Sequence, residues 1–302
     1  MSSILVIYHA NCHDGFCAAW LFRQAFPHAE FHAAHHGTEP PDVKGRRVYL
    51  VDFCYKREAM RRTLSQSHAV TVLDHHKTSE AELAGITDEF VQRPDLIANP
   101  PGSELPTIVF DMGKSGGRLA WEYLYGGRLL PDSWLATSRM GYSLGVAPWL
   151  VNYTEDRDLW RWALPDSREL NACLRTHPLD FSEWDCLHEH GRRFAGIQEM
   201  ISEGKAILRR EQQIVDDHVR HAREIEMAGH RVMAVNASVL FSEIAGKLAE
   251  GKPFGACYFD RFDGKRQWSL RSTVEGIDVS EVSKAKGGGG HRQAAGFEEV
   301  LA

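Results

Sequence analysis

The sequence predicts an α/β fold, in which an N-terminal parallel-sheet domain is joined by a helical linker to a smaller C-terminal α/β domain. Three short runs of β-forming residues, 4–8, 47–51 and 69–73, are almost continuously apolar. The segments between these runs, 16–26 and 56–67, have apolar residues at helical spacing. Strands without polar alternation are typical of a parallel sheet covered by helices on both faces. The chain of 302 residues is long enough for two domains.

The second half of the chain predicts the linker and the C-terminal domain. Residues 181–226 are polar with an apolar stripe, which favours one long helix or a helix pair. From residue 231 the pattern predicts a strand, a helix and two strands that meet at Asp263 and Gly264, a hairpin signal. The predicted domains are 1–180 and 229–302, with the linker at 181–228. Two further helices are expected at 114–125 and 134–152.

Composition restricts the class of partner. Hydrophobic residues make up 43% and charged residues 25%, as in an ordinary globular protein. The net charge is −6, whereas proteins that hold long nucleic acids are usually basic. No signal peptide or membrane-spanning stretch is recognised, and the six cysteines form no CxxC pair. We therefore expect a cytoplasmic protein with free thiols, without a membrane partner and without long nucleic acid.

Acidic and imidazole side chains follow all three predicted strands. They are His9 and Asp14 after the first strand, Asp52 at the end of the second, and Asp74, His75 and His76 at the end of the third. The carboxyl ends of parallel strands share one edge of the sheet, where ligands bind in open α/β folds. A single aspartate there is commonly a turn former. The convergence of three such segments, one of which carries two adjacent histidines, favours a functional site instead.

Carboxylates and imidazoles without a cysteine quartet suit a divalent cation. Mn²⁺ is the best match, and Mg²⁺, Co²⁺ or Zn²⁺ are alternatives. Several aspartates at one edge can hold two ions, with Asp52 bridging them. Two ions about 3.5–4 Å apart can stabilise both oxygens of an in-line displacement at phosphorus. The pattern therefore predicts phosphoryl chemistry.

A glycine run near the end of the chain, 287–290, precedes His291 and Arg292. Glycines allow the backbone to approach an anion closely, although a flexible linker is the competing interpretation. A helix at 293–295 would direct its N-terminus at the same anion. Arg271, at the end of a predicted strand, is either a phosphate ligand or an ordinary surface arginine.

Four motifs in this order resemble the DHH phosphoesterase family. They are H-x-x-C-x-D-G at 9–15, V-D-F at 51–53, D-H-H at 74–76 and G-G-G-H at 288–291. The last motif resembles the subgroup with a DHH-associated C-terminal domain, which includes nano-RNase and oligoribonuclease-like phosphodiesterases. The resemblance covers nearly the whole chain.

The resemblance implies roles for individual residues. Asp74 and His76 are expected to be catalytic. The expected metal ligands are His9, Cys12, Asp14, Asp52, Asp74, His75 and Asp156, and the expected substrate-binding residues are Arg271, Gly288, Gly289, Gly290 and His291. Glu155 and Asp158 compete with Asp156. Cys12 stands where many members have an aspartate, so either the thiol binds metal, or it does not and His13 is a candidate substitute.

The activity that the resemblance implies is hydrolysis of short oligonucleotides or dinucleotides, linear or cyclic, to mononucleotides, by in-line attack of a metal-bound hydroxide. One alternative is hydrolysis of a phosphoanhydride, as by a pyrophosphatase or exopolyphosphatase, against which the glycine run argues. Another is a catalytically degenerate nucleotide-binding protein, for which Cys12 is the only support. The sequence leaves open whether two copies form a homodimer.

Overall fold

The computed structural model describes residues 2–92, 105–126 and 147–301, and it confirms the predicted α/β fold class. The chain divides into two compact units, Met1–Lys205 and Ala206–Ala302. The division falls within one helix, Phe194–Arg220, so a helix joins the units as predicted. The predicted bounds, 1–180 and 229–302 with a linker at 181–228, stay a prediction.

The first unit contains a sheet of five parallel strands in the order β2-β1-β3-β4-β5. The strands are β1 (Ile4–His9), β2 (Glu30–Ala34), β3 (Arg47–Val51), β4 (Ala69–Asp74) and β5 (Thr107–Phe110). The predicted strands are the central three. The pattern of buried strands does not predict the edge strands β2 and β5, since no residue of β5 and only Ala34 of β2 is buried.

Nine helices of the first unit are described, the last of which continues into the second unit. They are α1 (His13–Ala25), α2 (Arg57–Gln66), α3 (Lys77–Leu83), α4 (Ile86–Gln92), α5 (Gly116–Tyr125), α6 (Trp149–Asp158), α7 (Ser167–Leu174), α8 (Phe181–Gly191) and α9 (Phe194–Arg220). Most of the helix predicted at 134–152 lies outside the described residues, and α6 contains its end. The helix pair predicted from 181 corresponds to α8 and α9.

Hydrophobic cores lie on both faces of the parallel sheet. Alternate residues of the strands point to opposite faces, so that Val6 and Val51 join one core with α1, while Ile7 and Leu50 join the other with α2. Each fully buried side chain of this kind contributes about 1.5–3 kcal/mol. Burial on both faces explains why the central strands carry almost no polar residues before their last position.

The second unit is built on a six-stranded mixed sheet in the order β10-β11-β9-β8-β7-β6. Its elements are β6 (Arg223–Met227), β7 (His230–Asn236), α10 (Phe241–Ala249), β8 (Gly255–Asp260), β9 (Lys265–Arg271), α11 (Val279–Lys284), β10 (Gly289–His291) and β11 (Ala294–Val300). The hairpin predicted at Gly264 joins β8 to β9, and this glycine has a φ of +78°.

One predicted element of the second unit is wrong. Residues 293–295, expected to begin a helix, lead into β11, which pairs with β9 and β10 in antiparallel register. Alternate burial explains the difference, because Ala295 and Phe297 face the core, where Phe297 stacks on Trp268. Two further elements of this unit, β6 and α11, are not predicted from the sequence pattern. Among the described residues, every helix falls short of the length and apolar character that crossing a membrane requires.

Candidate metal centre

Strand register brings three of the predicted site residues to one edge of the sheet. Tyr8 pairs with Val51, and Val51 pairs with Leu73, in parallel register. His9, Asp52 and Asp74 are each the next residue along their strands, so they leave the sheet in one row. The centre therefore follows from three strands that end in register.

Asp52 lies at the middle of the group and is almost completely buried. Its Oδ1 atom is 3.0 Å from His75 Nε2 and 3.9 Å from His76 Nδ1, and its Oδ2 atom is 3.6 Å from His9 Nδ1. Its backbone is left-handed, with a φ of +54°. Backbone strain of this kind concentrates at functional sites. The carboxylate thus contacts all three histidines.

Asp74 holds the turn that follows β4. Its Oδ1 atom accepts hydrogen bonds from the backbone N–H groups of His75, at 2.7 Å, and His76, at 3.2 Å. The same oxygen lies 2.7 Å from His76 Nδ1. The buried carboxylate therefore fixes both the turn and the orientation of one imidazole.

Asp14 enters the centre from the first turn of α1. Its carboxylate accepts hydrogen bonds from the backbone N–H groups of Gly116 and Gly117, the latter at 2.9 Å, at the start of α5. His75 Nε2 lies 3.7 Å from Asp14 Oδ2. A Cβ atom on Gly116 would lie 2.5 Å from Asp52 Cβ. These two glycines are site residues that the motifs do not predict, although the Ser-Gly entry to a helix is recognisable there.

On α6, Asp158 groups with Asp14 and His75, whereas Asp156 and Glu155 have other partners. Asp158 Oδ2 lies 3.5 Å from His75 Nε2. The carboxylate of Asp156 accepts hydrogen bonds from the backbone N–H groups of Ala163, at 2.9 Å, and Leu164, at 3.3 Å. Because a helix turns about 100° per residue, Asp156 and Asp158 leave α6 in opposite directions. Glu155 forms an ion pair with Arg118 instead, at 2.9 Å.

Cys12 immediately precedes α1 and lies among the potential ligands. Its thiol is within 4.8 Å of the ligand atoms of His9 and Asp52. Burial raises the pKa of Cys12 well above its usual value, and the charges of nearby aspartates raise it further. His13, the candidate substitute, points elsewhere, and its ring centroid lies 6.3 Å from that of Trp184. Burial lowers the pKa of His13 to about 4.

Electrostatics indicate a centre that requires positive charge. Burial alone would lower the pKa of His75, but Asp52, Asp158 and Asp14 raise it to about 10. Burial likewise opposes protonation of His76, whereas Asp74 raises its pKa to about 9. Two buried oxygens, Asp52 Oδ2 and Asp74 Oδ2, have no hydrogen-bond donor among the described residues.

These features fit divalent cations. Potential ligands form three groups within 4.8 Å: His9, Cys12 and Asp52; Asp14, His75 and Asp158; and Asp52, Asp74 and His76. Asp52 belongs to two of the groups, as expected of a bridging ligand. Buried carboxylate oxygens without donors are costly unless a cation or proton satisfies them.

The predicted substrate-binding residues belong to the second unit. Arg271 donates a hydrogen bond to Ser242 Oγ at 2.6 Å. Gly288 and Gly290 meet β11 so closely that a Cβ atom would lie 2.1 Å from Gly296 O and 2.5 Å from Ala294 O, respectively. Close strand contact therefore requires these glycines for structural reasons. Gly289 and His291 belong to β10. Substrate binding by all five residues stays a prediction.

Comparison with known proteins gives a distant relative. No protein-family model matches the chain. An uncharacterized protein of Acanthamoeba polyphaga mimivirus, R106, is 24% identical over an alignment of 329 residues including gaps. The alignment covers 97% of this chain. The match covers 66% of R106, so the chain spans slightly less than two thirds of that relative.

Solved structures show distant likeness over most of the chain. Exonuclease RecJ bound to manganese has a TM-score of 0.49 at 15% identity and covers 100% of this chain and 86% of that one. The pGpG-specific phosphodiesterase PggH of Vibrio cholerae has a TM-score of 0.41 at 14% identity, and the match covers 99% of this chain and 94% of that one. An exopolyphosphatase-related protein from Bacteroides fragilis has a TM-score of 0.36 at 11% identity, and the match covers 98% of this chain and 86% of that one. At this level of similarity, the chemistry of the centre is inferred from its own residues.

Proposed function

We propose that the chain is a divalent-metal-dependent phosphodiesterase that hydrolyses short oligonucleotides or dinucleotides, linear or cyclic, to mononucleotides. The observation that carries this proposal is the convergence of aspartates and histidines on Asp52, where two buried carboxylate oxygens lack a donor. The motifs that resemble DHH phosphoesterases contribute these same residues. The net charge of −6 supports a short substrate over a long polyanion.

The residues that would hold the ions form two overlapping sets. Asp52 would belong to both, because it groups with His9 and Cys12, and its Oδ1 atom lies 3.0 Å from His75, which groups with Asp14 and Asp158. Oxygen and imidazole donors suit Mn²⁺ best, with Mg²⁺, Co²⁺ and Zn²⁺ as alternatives. When bound, such ions lower the pKa of water and neutralise charge that develops at phosphorus.

His76 is the group that we assign to the scissile phosphate. Its side chain is 18% exposed, more than that of His75 at 2%, so a substrate can reach it. In the chain without metal, burial opposes protonation of His76, and the charge of Asp74 raises its pKa. Asp74 orients the ring through Nδ1. A preorganised imidazole N–H at this place would donate a hydrogen bond to the phosphoryl oxygens, where negative charge develops.

A parallel turnover assay tests the proposal and identifies the substrate. The purified chain with Mn²⁺ is offered pApA, a five-residue RNA, cyclic di-AMP and pyrophosphate, and mononucleotide or phosphate release is measured. We expect release from the linear or cyclic nucleotides, and no turnover by Asp52→Asn. Turnover of pyrophosphate alone would favour the phosphoanhydride alternative. Absence of turnover with bound Mn²⁺ would favour the degenerate binding protein.

A further inference from the structure

A second group of metal-ligating side chains lies in the first unit and shares no residue with the candidate metal centre. Cys173 belongs to α7, His177 follows that helix, and Glu203 belongs to α9. One ligand atom from each lies within 4.8 Å of the other two. The three side chains therefore converge from separate segments.

The distances between these ligand atoms resemble those of a tetrahedral zinc site. Cys173 Sγ lies 3.5 Å from Glu203 Oε2 and 4.0 Å from His177 Nε2. Zinc bonds of about 2.3 Å to sulfur and 2.0–2.1 Å to nitrogen place such atoms about 3.6 Å apart at tetrahedral angles. Shifts of about half an ångström would complete the geometry.

A fourth side chain orients the histidine. His177 Nδ1 lies 2.7 Å from Oε1 of Glu183, on α8. A carboxylate on one imidazole nitrogen fixes the ring so that the other nitrogen can bind a metal, an arrangement common around zinc. Here the other nitrogen, Nε2, is the atom that faces the thiol of Cys173.

The group opens onto a cavity of about 960 Å³, lined also by Cys186, His190 and Glu199. Cys173 is fully buried, whereas Glu203 is exposed, so an ion could enter from the cavity side. A nucleophilic thiol is the competing interpretation of such a cysteine. Reactive cysteines are partly exposed and lie beside positive charge, whereas Cys173 is buried beside the carboxylate of Glu203, which argues against a nucleophile.

We propose that Cys173, His177 and Glu203 bind a zinc ion, with Glu183 orienting His177 and the fourth coordination position open to the cavity. Thiolate and imidazole donors select zinc over Mn²⁺ and Mg²⁺, which prefer oxygen. The two metal sites of this chain thus differ in ligand chemistry. The proposal is independent of the phosphodiesterase activity.

Cobalt substitution tests the site without an activity measurement. Co²⁺ bound by a thiolate gives an ultraviolet charge-transfer band, and tetrahedral Co²⁺ gives strong visible bands. We expect both in the full chain and their persistence in Cys12→Ser, which removes the thiol of the candidate metal centre. Cys186→Ser is the matched control in the same cavity and is also expected to retain them. In the Cys12→Ser background, where the candidate metal centre has no thiol, Cys173→Ser should lose the charge-transfer band while keeping the circular dichroism of the full chain.

Two further variants keep the test decisive if Cys173→Ser does not fold. In the same Cys12→Ser background, His177→Gln removes a partly exposed ligand and should abolish the visible bands of the second site. Glu183→Gln should keep the bands but weaken Co²⁺ affinity about 10- to 100-fold, because it orients a ligand without binding the ion. Absence of both bands from the full chain would overturn the proposal, as would bands that survive His177→Gln or disappear in Cys12→Ser.

Discussion

At the scale of single residues, Asp52 combines burial, contact with three histidines and a left-handed backbone. Asparagine adopts the left-handed region nearly as readily as aspartate, whereas alanine there costs about 1–2 kcal/mol. A comparison of these two substitutions therefore separates the charge of the carboxylate from the strain of the backbone.

For Asp52→Asn, we expect a fold close to that of the unchanged chain, loss of turnover and Mn²⁺ binding weakened by at least about 100-fold. Asp52→Ala should show the same functional loss together with a lower melting temperature. Isothermal titration with Mn²⁺ and thermal unfolding measure the two effects. Unchanged Mn²⁺ affinity in both variants would contradict the bridging role of Asp52.

Asp156 and Asp158 give a second test, because they are two residues apart with different partners. Asp158→Ala should weaken Mn²⁺ binding and leave the free energy of unfolding nearly unchanged. Asp156→Ala removes the acceptor for two backbone N–H groups, which should lower the free energy of unfolding by about 1.5–3 kcal/mol and leave Mn²⁺ affinity intact. Titration and urea unfolding of both variants distinguish the roles, and the reverse pattern would restore Asp156 as the ligand.

At the scale of elements, the start of α5 packs closely against the residue that follows β3. Gly116 and Gly117 donate to Asp14, and the first of them leaves no space for a side chain beside Asp52. The helix N-terminus also carries a partial positive charge that stabilises the Asp14 carboxylate. Helix and strand thus position two of the predicted ligands together.

Gly116→Ala should therefore displace α5 or Asp52, lower the melting temperature and weaken Mn²⁺ binding. Gly246→Ala is the matched control, since Gly246 lies inside α10 with nothing within 4 Å of the added Cβ atom. This control should stabilise the protein by up to about 1 kcal/mol through helix propensity. Equal behaviour of the two variants in thermal unfolding and Mn²⁺ titration would exclude the close-approach role of Gly116.

The elements differ in how far the sequence predicts them. Buried parallel strands are recognisable because both of their faces are apolar, which identifies β1, β3 and β4 and the polar residues that end them. The edge strand β2 buries only its last residue, and β11 begins after a glycine-rich segment, so local pattern does not distinguish them from loop and helix. The choice between Asp156 and Asp158 depends on the rotation of α6, which packing sets and short-range pattern does not reveal.

At the scale of the whole molecule, two units with separate cores share one chain. The side chains described for the candidate metal centre, from His9 to Asp158, belong to the first unit. A ligand that binds only the native state stabilises it by about 2.7 kcal/mol when present at 100 times its dissociation constant. Metal binding should thus stabilise the first unit more than the second.

Differential scanning calorimetry checks this expectation. Addition of Mn²⁺ should raise the melting temperature of the transition that involves Met1–Lys205, and a chelator should reverse the shift. Asp52→Asn should show no shift at the same Mn²⁺ concentration. An equal shift in Asp52→Asn would place the stabilising ion elsewhere in the chain.

The register of Tyr8, Val51 and Leu73 also determines which length changes the protein can tolerate. Deletion of one residue between Val48 and Leu50 would draw Asp52 back along its strand by about 3.3 Å and exchange the residues that face the two cores. The same deletion in the preceding loop, at 37–41, would leave the row intact. Natural or designed variants of this chain should therefore accumulate insertions and deletions before β3 and almost none within it.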